Sequence, residues 1–187
     1  WQSMVSAIDN RPQHVPDEVW FVQHLPVYTL GYAGSEKNII NKKEIPIVRS
    51  DRGGQVTYHG PGQLVVYFLL NIKRLGWGPK KLIFYLEEIF ISLISQYNIK
   101  AKRKEGAPGI YVADKKIASI GLKIKQGFSY HGVSLNVDMN LSPFDDINIC
   151  GYKALEATQI NDLASASIEQ IKEDLKSLLE DRSFKTA

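Results

Sequence analysis

The densest group of side chains suited to ligand binding lies at residues 52–63, which read RGGQVTYHGPGQ. Arginine, glutamine, threonine, tyrosine and histidine alternate there with four glycines, directly before a long apolar run. Glycine allows the backbone to approach a ligand closely, and loops fixed to a rigid strand often carry binding groups. An ordinary turn between strands does not need so many polar groups. The segment is therefore interpreted as a ligand-binding loop.

Cys150 is the only thiol of the chain and its most reactive candidate nucleophile. A thiol attacks as the thiolate, and at an ordinary pKa of about 8.5 only a few per cent is ionised at neutral pH. A nearby cation is required, and His59, His131 and Lys116 are the candidates. A buried cysteine with a purely structural role is the alternative.

The histidines favour a shared pocket over a metal site. His59 and His131 each lie between a tyrosine and a glycine, which suggests matched positions beside one pocket, although structural roles remain open. The four histidines include no i,i+4 pair, and no cysteine stands at zinc spacing, so no metal is expected. Phosphate-binding loops and a serine elbow are also missing from the sequence, so no cofactor is expected.

Length and composition indicate one domain covering residues 1–187. Hydrophobic residues make up 44% and charged residues 23%, values typical of globular proteins. The net charge of +3 comes from short basic runs, which are solvated surface or a docking site for an acidic protein. No nucleic-acid motif and no apolar run of membrane-spanning length is found, and a single cysteine suits the cytoplasm. The chain opens on Trp1, so its natural N-terminus is expected to be truncated.

Hydrophobic periodicity predicts strands, a helix, a meander and a final helix. Short strands are predicted at residues 20–22 and 45–48, a central strand covered on both faces at 64–72, and a helix beginning at Pro79. Residues 110–112, 117–124 and 128–137 predict an antiparallel meander with turns at 113–114 and 126–127. The last helix is expected over 167–180, capped by Ser167 with Gln170. This order predicts an α+β (mixed α/β) single domain.

One face of the meander is predicted to leave room for a ligand. Ser119, Gly121, Gly132 and Ser134 alternate with larger apolar residues, so small side chains share one side of the sheet. Small residues on an open sheet face beside a glycine-rich loop are typical of a ligand channel.

The motifs resemble one enzyme family over nearly the whole chain. Residues 52–63, APGIYV at 107–112, KIASIGL at 116–122, HG at 131–132, LN at 135–136 and CG at 150–151 occur in the same order in the octanoyltransferases of lipoate biosynthesis. The resemblance implies the fold of the biotin- and lipoate-protein ligase catalytic domain, a mixed sheet with helices on one side. It implies a monomeric, cytoplasmic enzyme that moves an octanoyl group from acyl carrier protein to a lysine of a lipoyl domain. The acceptors implied are those of 2-oxoacid dehydrogenases and the glycine cleavage H protein.

The same resemblance implies the site residues. The acyl-thioester nucleophile falls on Cys150, and the lysine that lowers its pKa falls on Lys116. Lys115 should point away from the site, because side chains alternate along a strand. Val133 and Ser134 depart from the leucine and alanine frequent in the family. Substrate contacts fall on Arg52, Gly53, Gly54, Gln55, Val56, Thr57, Tyr58, His59, Ser119, Ile120, Gly121, Gly132, Val133 and Ser134.

Two other functions stay open on the residues alone. An ATP-dependent lipoate or biotin ligase of the same fold would bind a nucleotide and would not need Cys150. A non-catalytic acyl-binding or carrier-docking module would tolerate loss of that thiol and would show no turnover.

Overall fold

The computed structural model describes residues 1–41, 43–152 and 155–181, which form an α+β fold as the sequence predicts. Its helices are α1 (Gln2–Asp9), α2 (Pro79–Ser95) and α3 (Ile168–Asp181). Its strands are β1 (Glu18–Val22), β2 (Val27–Leu30), β3 (Ile47–Arg49), β4 (Val56–His59), β5 (Gln63–Leu69), β6 (Gly109–Val112), β7 (Lys115–Lys125) and β8 (Phe128–Asn136).

The strands form two sheets rather than the one mixed sheet that the resemblance implies. The large sheet has the order β1-β5-β8-β7-β6, and every neighbouring pair is antiparallel. The small sheet has the order β3-β2-β4 and is the mixed one, because β2 runs parallel to β3 and antiparallel to β4. β5, predicted as a central strand, is paired on both sides, with β1 and with β8, and β8 lies in the middle of the sheet. The apolar run of β5 indicates burial, and burial does not fix strand order.

The predicted meander is confirmed in all three of its strands and both of its turns. Ala113 and Asp114 join β6 to β7 with φ of 45° and 71°, and Gln126 and Gly127 join β7 to β8 with φ of 54° and 85°. Two consecutive residues with positive φ are typical of the tight turns whose twist matches antiparallel strands.

One face of the large sheet holds the main hydrophobic core. Leu64, Val66 and Phe68 of β5 lie in one cluster with Phe90 of α2 and Leu175 of α3. The apolar stripe predicted for α2 is therefore confirmed as core. The predicted cap of α3 is also present, since the backbone N–H of Gln170 donates to Ser167 Oγ at 3.1 Å.

The opposite face carries the small residues that the sequence predicts there. Ser119 pairs with Ser134 across β7 and β8, and Gly121 pairs with Gly132. The small sheet covers this face, and the short side chains leave space between the sheets.

Helices lie on both faces of the large sheet, in contrast to the one-sided arrangement that the resemblance implies. Met4 of α1 packs against Leu69 and Tyr130. Leu69 alternates with the core residues of β5 and therefore points to the other face of the large sheet. Because α1 contacts Leu69 and α2 packs on the core, the two helices lie on opposite sides of this sheet. No helix within the three described ranges is long and apolar enough to cross a membrane.

Residues 52–63 form two tight loops around a strand, not one continuous loop. Val56–His59 make up β4, which pairs with β2 so that Tyr58 lies opposite Tyr28. Valine, threonine and tyrosine favour strands, but the flanking glycines hide this signal in the sequence. Pairing with β2 fixes the positions of the two glycine-rich loops.

Candidate active site

A β-bulge determines which lysine enters the site. Across β6 and β7, Ile110 pairs with Ala118, and the next residue, Tyr111, pairs with Lys116. Ile117 is thus an extra residue in β7. A bulge of this kind disturbs the regular alternation of side chains and often lies beside an active site.

The bulge reverses the alternation, so that Lys116 comes to the side of the sheet that carries Ser119. Regular alternation would have brought Lys115 there instead. Lys116 is only 3% exposed, whereas the Lys115 ammonium lies at the surface and contacts the Glu156 carboxylate at 2.6 Å. The prediction that the two lysines point apart is confirmed, although the reason includes an irregularity that the sequence does not reveal.

The Lys116 ammonium lies beside the thiol of Cys150. Its Nζ is 3.0 Å from Cys150 Sγ and donates a second hydrogen bond to the Pro108 carbonyl, also at 3.0 Å. Gly109, with φ of 138°, provides the space, since a Cβ there would stand 2.5 Å from Lys116 Cε. The buried Glu87 carboxylate accepts a hydrogen bond from the Gly109 N–H at 3.1 Å, which fixes the position of this glycine. The Lys116 ammonium is therefore held in contact with the sulfur of Cys150.

Cys150 lies in a left-handed turn that is anchored in the protein core. Its φ and ψ are 54° and 22°, and Gly151 follows with φ of 78°. A non-glycine residue in this conformation costs roughly 1–3 kcal/mol and is often associated with function. The neighbouring Ile149 is 1% exposed, and the Gly151 N–H donates to the Asn148 carbonyl at 2.8 Å.

Arg52 organises the loop before β4. Its Nη2 donates to the carbonyls of Thr29 at 2.6 Å and Gln55 at 2.7 Å, and its Nη1 donates to the Gly53 carbonyl at 2.9 Å. Burial lowers the pKa of Arg52 to about 10, so the guanidinium remains charged at neutral pH. It adds fixed positive charge to the wall of the site.

The glycines of this loop allow it to lie directly on β7. The Gly53 N–H donates to the Leu122 carbonyl at 2.9 Å, and a Cβ on Gly121 would stand 3.0 Å from the Gly53 carbonyl oxygen. This close approach of backbone to backbone explains why glycine stands on both sides of the contact.

Two cavities meet at Cys150. The first, of about 240 Å³, lies between the two sheets, and the second, of about 500 Å³, opens beside the start of α2. The residues common to both linings are Gly54, Gln55, Ile120, Gly121 and Cys150. The thiol therefore has access to two separate spaces.

Most residues with predicted substrate contacts line the first cavity. They are Arg52, Gly54, Gln55, Val56, Thr57, His59, Ser119, Ile120, Gly121, Gly132, Val133 and Ser134. Gly53 lines only the second cavity. Tyr58 lies apart from both, because it is 4% exposed and its ring packs edge-on against Phe144 at 5.6 Å.

His59 and His131 both line the first cavity, and both are neutral at physiological pH. Burial lowers the pKa of His59 to about 3, and its Nδ1 lies 2.7 Å from Gln63 Oε1. Burial also lowers the pKa of His131, whose Nε2 lies 2.8 Å from Asp51 Oδ1. Of the three candidate cations, Lys116 is the one that contacts the sulfur.

Several residues of the site were not singled out from the sequence. His24 and Tyr67 line the first cavity and share a 2.6 Å contact between Nε2 and the phenol oxygen. Tyr67 could have been found from the sequence, because it alternates with the core residues of β5 and therefore points to the open face of the sheet. Glu87 and Asn38 act through contacts with residues distant in sequence, and the sequence contains no signal for either.

Comparison with known proteins identifies the family. Residues 1–180 match the lipoyl protein ligase A/B catalytic domain. The octanoyltransferase of Shewanella pealeana is 51% identical over 87% of this chain and 74% of its own length. That of Acinetobacter baylyi is 46% identical over 98% and 84%. A crystal structure of lipoate-protein ligase A bound with ATP superposes with a TM-score of 0.82 at 13% identity, over 95% of this chain and 77% of the other, and shares the fold. The chain therefore belongs to the lipoyl protein ligase A/B catalytic domain family, as an octanoyltransferase of lipoate biosynthesis.

Proposed function

We propose that this octanoyltransferase moves the octanoyl group from octanoyl-acyl carrier protein to a lysine of a lipoyl domain through a thioester on Cys150. The observation that supports this most directly is the 3.0 Å contact between Lys116 Nζ and Cys150 Sγ, where the two cavities meet. The acceptors are the lipoyl domains of 2-oxoacid dehydrogenases and the glycine cleavage H protein. The enzyme acts as a cytoplasmic monomer.

In the first half-reaction the Cys150 thiolate attacks the thioester carbonyl of the donor. The adjacent ammonium of Lys116 favours the thiolate over the thiol, because opposite charges in contact stabilise each other. As the new carbon–sulfur bond forms and the old one breaks, Lys116 gives its proton to the departing pantetheine thiolate. A thioester is already activated, so the transfer needs no nucleotide.

In the second half-reaction the incoming lysine attacks the acyl-enzyme as a neutral amine, and neutral Lys116 takes the proton that this nitrogen loses. An amide forms, and the sulfur of Cys150 leaves as the thiolate. Two successive thioester steps of this kind give ping-pong kinetics. A lysine suits both roles because its amino group can give a proton and take one back, and Lys116 contacts the sulfur that both steps use.

The first cavity suits the acyl chain, and the second suits the arm that carries it. Val56, Val65 and Val133 contribute apolar walls to the first cavity. Burying an octanoyl tail there gains about 0.8 kcal/mol per methylene, or roughly 5 kcal/mol in total. The second cavity opens beside Pro79 and Lys123, where a pantetheine arm or a lysine side chain can enter.

Basic groups near the second opening suit an acidic donor. Lys123 lines that cavity, and Lys80, Lys81 and Lys104 lie exposed on the adjoining segments of the chain. Opposite charge on a docking surface raises the rate of encounter and fixes orientation. The short basic runs of the sequence thereby gain a role in recognising the carrier protein.

The test is to incubate the protein with octanoyl-acyl carrier protein in the absence of ATP and to measure the intact mass. We expect an octanoyl adduct that maps to Cys150, disappears when a lipoyl domain is added, and does not form in Cys150→Ala. Transfer that requires ATP and proceeds in Cys150→Ala would instead indicate a ligase. Binding of the donor without any adduct or transfer would indicate a docking module.

A further inference from the structure

The side chain of Gln55 lies against the residue that follows the thiol. A Cβ on Gly151 would stand 2.8 Å from both Nε2 and Oε1 of Gln55, so the carboxamide packs directly on the turn that presents Cys150. Gln55 and Cys150 also line both cavities. A carbonyl carbon in contact with the sulfur would therefore have this carboxamide as a neighbour.

Asn38 engages the oxygen end of the Gln55 carboxamide. Asn38 Nδ2 donates to Gln55 Oε1 at 2.6 Å, and the Asn38 carbonyl accepts from the Asn148 N–H at 2.8 Å. The oxygen of Gln55 is thus engaged, and Nε2 has no acceptor among the residues that the structure describes. This donor is held in place before any substrate arrives, by a residue that also supports the Cys150 turn.

We propose that Gln55 Nε2 donates a hydrogen bond to the oxyanion that forms when Cys150 attacks the thioester, a role that rests on the proposed function. Attack by Sγ forms a carbon–sulfur bond and moves the carbonyl electron pair onto oxygen. Collapse restores the carbonyl, breaks the bond to the pantetheine sulfur, and sends a proton from Lys116 to that sulfur. Lys116 is directed to sulfur and to the Pro108 carbonyl, so the developing charge on oxygen requires a separate donor.

A preorganised donor of this kind has a measurable effect. Removing one oxyanion donor lowers the rate of acyl transfer by about 10²–10³-fold. Alkylation by iodoacetamide displaces iodide at an sp³ carbon and forms no oxyanion, so it reports the reactivity of the thiol alone. The ratio of the two rates separates stabilisation of the oxyanion from activation of the nucleophile.

The experiment measures both rates in the parent, Gln55→Met and Gln55→Glu. Acylation by octanoyl-pantetheine is followed by intact mass in a single turnover, and alkylation is followed with iodoacetamide. Met removes the donor without adding charge. Glu keeps an acceptor for Asn38 Nδ2 but has no N–H. We expect the ratio of acylation to alkylation to fall about 10²–10³-fold in both variants.

Each other outcome counts against the proposal. An unchanged ratio in either folded variant overturns the role of Gln55, and so does a parallel fall of both rates, which would indicate a structural role only. If the parent is alkylated at Cys150 but never acylated, the proposed function itself fails. That result is distinct, because it does not depend on Gln55.

Discussion

Replacing Lys116 with methionine tests the central contact of the site. The change removes the ammonium that lies 3.0 Å from Cys150 Sγ while it keeps most of the buried length of the side chain. Lys115→Met is a matched control, because that neighbour loses the same group from the surface, where it contacts Glu156. The two variants have the same composition and differ only in which face of the sheet loses its charge.

The expected magnitude follows from the contact. A hydrogen bond to a charged group contributes about 1.5–3 kcal/mol, and each 1.36 kcal/mol corresponds to about a tenfold change. Screening by water is weak, because Lys116 is 3% exposed. A less stabilised thiolate is also a stronger nucleophile, with a Brønsted slope of roughly 0.4–0.5, and this returns nearly half of the effect. Because the ionised fraction of the parental thiol cannot exceed one, the net expectation is alkylation about 2- to 4-fold slower at pH 7.

The assay follows loss of the free thiol with iodoacetamide under pseudo-first-order conditions from pH 6 to pH 10. Lys116→Met should be slower than the parent at pH 7 and should equal or exceed the parental rate near pH 10, where an ordinary thiol ionises without help and the less stabilised thiolate is the stronger nucleophile. Lys115→Met should follow the parent throughout. Equal rates in Lys116→Met and the parent at pH 7 would refute the argument. So would slowing that persists at pH 10, because that indicates a blocked thiol.

Three further predictions address the surroundings of this pair. Gly109→Ala should slow alkylation of Cys150 towards the Lys116→Met rate, because the new Cβ would stand 2.5 Å from Lys116 Cε at a φ of 138°; a parental rate would contradict this. Ser134→Leu should narrow the first cavity and slow acylation by octanoyl-pantetheine at least tenfold more than acylation by acetyl-pantetheine, and equal slowing would contradict the assignment of that cavity to the acyl chain. Burial holds the pKa of His59 at about 3 in the folded protein. On acidification the unfolded chain therefore binds a proton at His59 before the folded chain does, and the free energy of unfolding falls as the pH drops below about 6.5. Urea denaturation should show that, between pH 7 and pH 4.5, the parent loses about 2–3 kcal/mol more of its free energy of unfolding than His59→Asn does.

The regular parts of the fold could be predicted from the sequence because their signals are local. Each signal depends on residues only a few positions apart. Examples are the alternation of small and large side chains in residues 117–124, the helical stripe after Pro79 and the cap at Ser167. β2 and β4 were missed, because four-residue strands next to glycine carry a weak pattern. The order of strands was also beyond the sequence, since an apolar strand such as β5 is equally buried at any of the three internal positions of the sheet.

The site was less predictable from the residues alone. The chemistry of a lone thiol called for a cation but left His59, His131 and Lys116 open, and the choice of Lys116 came from the resemblance. The reason lies in distance, because Cys150 and Lys116 are 34 positions apart and meet only through the fold. The free end of Gln55 was invisible for the same reason, since a contact from Asn38 determines it.

Backbone irregularities bring the functional groups to one side of the large sheet. The extra residue Ile117 moves Lys116 across β7, and the left-handed φ of 54° at Cys150 shapes the turn that carries the thiol. His131 is a third case: its φ of 61° interrupts β8, and its ring contacts Tyr67 on the open side although its position in the alternation belongs to the core. Periodicity rules assign a face to each residue by assuming a regular strand, and they fail at these positions. Such conformations cost free energy, so the rigid pairing on either side of them is what keeps the cation, the thiol and the cavity wall together.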